Sequence, residues 1–153
     1  MVLGLGAIGK GVAVGRGNSL TSFRAGLGDT SLQYVTVYRG DKAGTTIIKS
    51  NAAKELGYAG SQKIIERGNL EELFANHAFD SKIPASPFIS VTNDLRVARH
   101  FAGPNGVVHE FRIPVTRATP NKLNDYVIPR LGISESELLV PNYIRPNEFV
   151  RRH

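Results

Sequence analysis

Five residues carry chemistry by type and spacing: Arg39, Ser90, Thr92, Glu135 and Glu137. Glu135 and Glu137 stand one residue apart, ahead of the apolar run Leu138-Leu139-Val140 and Pro141. Residues i and i+2 of a strand face the same side, so the two carboxyls project together if the strand reaches back that far. Paired carboxylates repel, and in a site this allows one to stay ionised while the other handles a proton. The plain alternative is a solvated edge strand with two exposed acids. Arg39 directly follows the run Gln33–Tyr38. A guanidinium is always charged and can fork two hydrogen bonds onto phosphate oxygens. Ser90 and Thr92 flank Val91 at the end of another apolar run, which puts both hydroxyls opposite Val91.

Other chemistries lack their parts. The chain has no cysteine, which removes thiolate catalysis, disulfides and Cys-type zinc sites. His77, His100, His109 and His153 show no HxH or HxxxH spacing, so no metal site is expected. His109 falls on the apolar face of a strand and His77 on a helix face, both as packing residues. There is no GxSxG elbow for a serine nucleophile. Gly4-Leu5-Gly6-Ala7-Ile8-Gly9 fits GxGxxG, but only three residues precede it and Asp29 does not end a strand. A dinucleotide fold needs both strands.

The elements that must position these residues are short. Gln33–Tyr38 is β-branched and aromatic, a strand that Arg39-Gly40-Asp41 should end. Residues 45–80 are mainly helical: Asn51 caps a first helix that Gly57 stops, and Asn69 caps a second over 70–79. In the second, Leu70, Leu73, Phe74 and His77 share one face. Phe88–Val91 forms a strand, and Thr92 or Asn93 caps a helix that ends at Gly103-Pro104. Val107–Pro114 alternates as a half-buried strand; 126–128, 137–140 and 147–150 are shorter ones. About six strands and three helices in mixed order indicate an α+β domain over 32–153.

Residues 1–31 hold eight of the 16 glycines and no periodicity, the composition of a leader or linker. They lack the basic n-region of a signal peptide, and a glycine-rich start after Met1 fits a piece of a longer chain. The 153 residues are 41% hydrophobic and 21% charged, an ordinary globular composition, and no apolar run approaches a membrane span. The net charge of +6 suits a polyanionic partner without selecting one.

Taken together, Val37-Tyr38-Arg39-Gly40, Pro87-Phe88-Ile89-Ser90-Val91-Thr92 and Glu135-Ser136-Glu137-Leu138-Leu139-Val140-Pro141 resemble, in order, the motifs of R-S-E class ADP-ribosyltransferase toxins. The resemblance spans residues 34–141, and the leader makes the chain look like the C-terminal module of a bacterial polymorphic toxin. It implies an ADP-ribosyltransferase-like mixed fold, with short strands in two packed sheets and a few peripheral helices. It implies cleavage of NAD, the substrate, at the nicotinamide–ribose bond, without a metal, and transfer of ADP-ribose to a macromolecule. Glu137 then corresponds to the catalytic glutamate, Glu135 to the residue that orients or deprotonates the acceptor, and Ser90 to a hydroxyl that holds the glutamate or the ribose. Arg39 corresponds to the pyrophosphate anchor, with Tyr38, Gly40, Thr92 and Phe101 also toward NAD. Phe101 is equally a core residue of its helix, Tyr38 a strand core residue, and Gly40 a simple strand end. Glu135, where such proteins also carry Gln, goes with an arginine acceptor on protein; RNA is the other acceptor class. A cognate immunity protein, a monomeric state, no membrane association, and secretion or delivery into the cytoplasm of a target cell complete the expectation. One position departs from the Ser-Thr-Ser pattern: Val91 replaces the middle hydroxyl. Two alternatives stay open: a basic RNA-binding or metal-independent nuclease toxin module, and an NAD glycohydrolase on the same fold.

Overall fold

A computed structural model describes residues 33–153; the leader expected over 1–31 lies outside the described residues. The described part is mixed α+β, as the element order implied. It contains β1 (Tyr34–Asp41), α1 (Asn51–Arg67), α2 (Leu70–Phe79), β2 (Phe88–Thr92), α3 (Leu95–Ala102), β3 (Val107–Pro114), β4 (Thr119–Pro120), β5 (Val127–Ile128), β6 (Ile133–Ser134), β7 (Glu137–Pro141) and β8 (Phe149–Arg152). Six strands form one antiparallel sheet in the order β8-β3-β1-β2-β7-β4, while β5 and β6 make a separate ribbon. No described helix is long and apolar enough to cross a membrane.

The sheet is pinched in the middle. β1 and β3 pair over eight positions and β2 and β7 over five, but β1 and β2 share only Tyr38 with Thr92. Two three-stranded halves therefore meet at a single pair and splay apart beyond it. Both halves feed one core: Val37, Phe111 and Ile113 from one side pack with Ile89, Val91, Leu138 and Val140 from the other. Burying these side chains is what holds the halves together, at roughly 1.5–3 kcal/mol for each fully buried large apolar side chain.

Several boundaries differ from the sequence expectation, each for a local reason. β1 does not stop at Tyr38: Arg39, Gly40 and Asp41 continue it, because each has a partner in β3. Ser50, not Asn51, caps α1, its hydroxyl accepting from Ala53 N, while Asn51 donates to Ser81 O. Gly57 does break the helical backbone (φ 77°), but the helix resumes and buries Ser61. Asp94 caps α3 in place of Thr92 or Asn93. The last strand begins at Phe149, and the two-residue β4 and β6 raise the strand count to eight among the described residues. Asn69 caps α2 as expected, its Oδ1 accepting from Glu72 N. From the α2 stripe Phe74 packs edge-on against Phe88 at the start of β2, 5.0 Å between centroids, and His77 is buried, while Leu70 at the helix start is exposed.

Candidate active site

The site lies where β1 and β2 diverge. Beyond the Tyr38–Thr92 pair the ladder stops, and the Arg39 side chain spans the gap: Nη1 donates to Ser90 O at 2.9 Å. Its Nε donates to Asp41 Oδ1, also at 2.9 Å. Asp41 meets Arg39 because the two are i and i+2 on one strand face. Asp41 is in turn held through Oδ2 by Nδ1 of the fully buried His109, which sits opposite Arg39 in the β1–β3 register. Two contacts thus fix the guanidinium, and its Nη2 has no protein partner among the described residues.

Glu137 opens β7 directly opposite Thr92, which puts Ser90 diagonally across on the same face. Ser90 Oγ donates to Glu137 Oε2 at 2.5 Å. With that proton committed, Ser90 Oγ accepts from His77 Nε2 at 2.7 Å. His77 reaches the site from the last turn of α2, and its Nδ1 lies 2.6 Å from Ser86 Oγ. On the other carboxylate oxygen, Oε1 accepts from Asn121 Nδ2 at 2.9 Å and Asn124 Nδ2 at 3.0 Å. The carboxylate is only 8% exposed. Burial alone would raise its pKa. Hydrogen bonding from His77, Ser90 and Asn124, with the charge His77 carries when protonated, outweighs burial and holds it at about 2. Glu137 is therefore a buried, ionised carboxylate at neutral pH.

Glu135 arrives differently from the expectation. β7 begins at Glu137, and Ser136 takes a left-handed backbone (φ 50°), so Glu135 precedes the strand instead of extending it. It converges on its neighbour through a shared donor: Asn124 Nδ2 also donates to Glu135 Oε1 at 2.7 Å. Thr92 Oγ1 donates to Glu135 O and accepts from Asp94 N, so that hydroxyl fixes the backbone on both sides of the cleft.

All eight residues nominated from the sequence line one cleft of about 360 Å³: Tyr38, Arg39, Gly40, Ser90, Thr92, Phe101, Glu135 and Glu137. Phe101 is 53% exposed at its edge, whereas Val97 and Ala98 take the core positions of α3. Tyr38 is half-buried with its ring edge-on to His153. Gly40 is required by packing: a Cβ there would collide with Ala98 O and Ala102 N, where α3 lies against β1. Val91, between the two hydroxyls, is buried in the core cluster and also borders the cleft. Sequence reasoning missed His77, Asn121 and Asn124. The α2 stripe placed His77 on the packed face but carried no sign of a hydroxyl waiting there. The two asparagines lie in a polar segment with no period to read.

No protein-family model matches the chain, and no curated protein matches it. What the cleft can do follows from its groups. It offers a pinned guanidinium with a free edge, a buried ionised carboxylate, a second carboxylate beside it and an aromatic ring at the rim. That set suits a ligand with an anionic part, an apolar ring and a centre that becomes positive during reaction.

Proposed function

We propose that the chain is an NAD-dependent mono-ADP-ribosyltransferase of the toxin type, acting on a macromolecular acceptor. One observation carries the proposal: Arg39, Ser90 and Glu137, from three motifs far apart in sequence, converge on one cleft, with the Glu137 carboxylate ionised and hydrogen-bonded to Ser90. The R-S-E resemblance predicts this convergence; a solvated strand edge does not.

In this proposal Arg39 uses its unpartnered Nη2 on the pyrophosphate of NAD, and Phe101 packs on the nicotinamide end. The carbon–nitrogen bond between ribose and nicotinamide breaks, and nicotinamide departs as a neutral molecule with the bonding pair. Positive charge left on the ribose ring faces Glu137. Two unit charges about 4 Å apart attract by about 4 kcal/mol at an effective dielectric near 20, which is about 10³-fold in rate if expressed in the transition state. Ser90, backed by His77, keeps the carboxylate aimed and ionised. An acceptor nitrogen then bonds to the anomeric carbon and gives its proton to Glu135. A guanidinium of an arginine side chain fits the Glu135 carboxylate by charge and fork geometry. Delivery into a target cell and neutralisation by an immunity protein belong to the same proposal.

Adenine-labelled NAD added to a bacterial lysate, wild type beside Glu137→Gln, tests it. Label in protease-sensitive material with the wild type alone supports transfer to protein. RNase-sensitive label keeps the enzyme class and replaces the acceptor. Label only in free ADP-ribose makes the protein an NAD glycohydrolase, and unchanged NAD overturns the proposal.

A further inference from the structure

The two carboxylates of the cleft are held unequally. Glu137 has Ser90 on one oxygen and both Asn121 and Asn124 on the other, with His77 Nε2 at 3.5 Å. Among the described residues, the Glu135 carboxylate has a single partner, Asn124 Nδ2. An amide nitrogen carries two hydrogens, and here one goes to each glutamate. The Asn124 carbonyl oxygen accepts from Tyr126 N at 3.1 Å, so the amide cannot rotate without breaking three contacts. Glu135 precedes the left-handed Ser136 and lies outside β7; its backbone is held by Tyr126 O and Thr92 Oγ1, and its carboxylate by Asn124. Among the described residues the Glu135 carboxylate therefore rests on Asn124 alone, whereas Glu137 also has Ser90 and Asn121.

We propose that Asn124 is a specificity-determining positioning residue: by holding the Glu135 carboxylate beside Glu137, it sets whether the ADP-ribosyl group goes to the macromolecular acceptor or to water. This rests on the transferase function proposed above. In transfer, the acceptor nitrogen forms the bond to the anomeric carbon, nicotinamide leaves with the old bonding pair, and Glu135 takes the acceptor proton. In hydrolysis, water forms that bond and releases its proton to solvent, a path that needs Glu137 but not a placed Glu135.

The discriminating variant is Asn124→Asp. It keeps the size of the side chain and the acceptor for Tyr126 N, but removes both donated hydrogens and adds a third carboxylate. Asn124→Ala removes the amide without added charge. With the full chain and adenine-labelled NAD in lysate, protein-bound label and free ADP-ribose are measured together with nicotinamide release. The ratio of transfer to hydrolysis should fall about tenfold or more in both variants, since a hydrogen bond to a charged group is lost. Nicotinamide release should fall much less in Asn124→Ala, where Glu137 keeps Ser90 and Asn121 and meets no added charge. A purely structural role would lower both products together, and that result, or an unchanged ratio, overturns the inference. Wild-type chain that releases no nicotinamide overturns the transferase proposal itself, which the variants cannot do. Glu135→Gln serves as the reference: its ratio should fall at least as far as that of Asn124→Ala.

Discussion

Glu137→Gln separates a buried functional carboxylate from an exposed strand-edge acid. An exposed acid can be neutralised with little effect on stability. Glu137 is not exposed, and its pKa drops from the ordinary 4.5 to about 2 in the folded chain. The folded state thus prefers the ionised form by about 3 kcal/mol relative to the unfolded chain. Because the folded pKa is depressed, this stabilisation is present above pH 4.5 and is lost as pH falls toward 2. A neutral amide should forfeit much of it at pH 7: about 3 kcal/mol, or about 10 °C in Tm for a domain of this size. By pH 3 the gap between wild type and variant should shrink to about 1 kcal/mol, because the unfolded wild-type group is then protonated. Urea unfolding of both proteins at pH 7 and pH 3 measures the two gaps. An equal gap at both pH values, or none at pH 7, would refute the account of Glu137 as a carboxylate stabilised by its donors. Turnover should be compared well below the variant's Tm, so that lost activity reports chemistry and not unfolding.

Three further substitutions probe the scaffold. Ser90→Ala leaves Glu137 Oε2 and His77 Nε2 without their mutual bridge; the Glu137 pKa should rise, moving the acid limb of the pH–rate profile upward, at a stability cost of about 1–3 kcal/mol. Arg39→Lys keeps the charge but loses the planar fork between Asp41, Ser90 O and ligand; the Kd for ADP-ribose, read by calorimetry, should rise about tenfold or more. Gly40→Ala should destabilise by about 1–3 kcal/mol in urea unfolding, because its Cβ displaces α3 from β1 and moves Phe101 with it.

Much of this architecture is written locally in the chain. β3 alternates from His109 to Pro114, with Val108 buried on the other face as well, and Asn69 marks the start of α2, so period and cap placed both. The convergence of Arg39, Ser90 and Glu137 was legible only as the order of three motifs, since their contacts cross 51 and 47 residues of chain. The extension of β1 through Arg39-Gly40-Asp41 was not legible, because residues typical of turns were overruled by pairing with β3. Ser50 and Asn51 both suit a cap, as do Thr92, Asn93 and Asp94, and only packing chose among them. His77 was legible as buried but not as a donor to Ser90, because its ring fits an apolar stripe equally well. Asn121 and Asn124 became visible only when the loop before β5 folded back onto Glu137.

Nicotinamide release from NAD by the purified full chain tests the central claim most directly. The account predicts release by the wild type and a rate roughly 10³-fold lower with Glu137→Gln at a temperature where both are folded. Folded wild-type protein that releases no nicotinamide, or a Glu137→Gln variant that releases it at the wild-type rate, would contradict it.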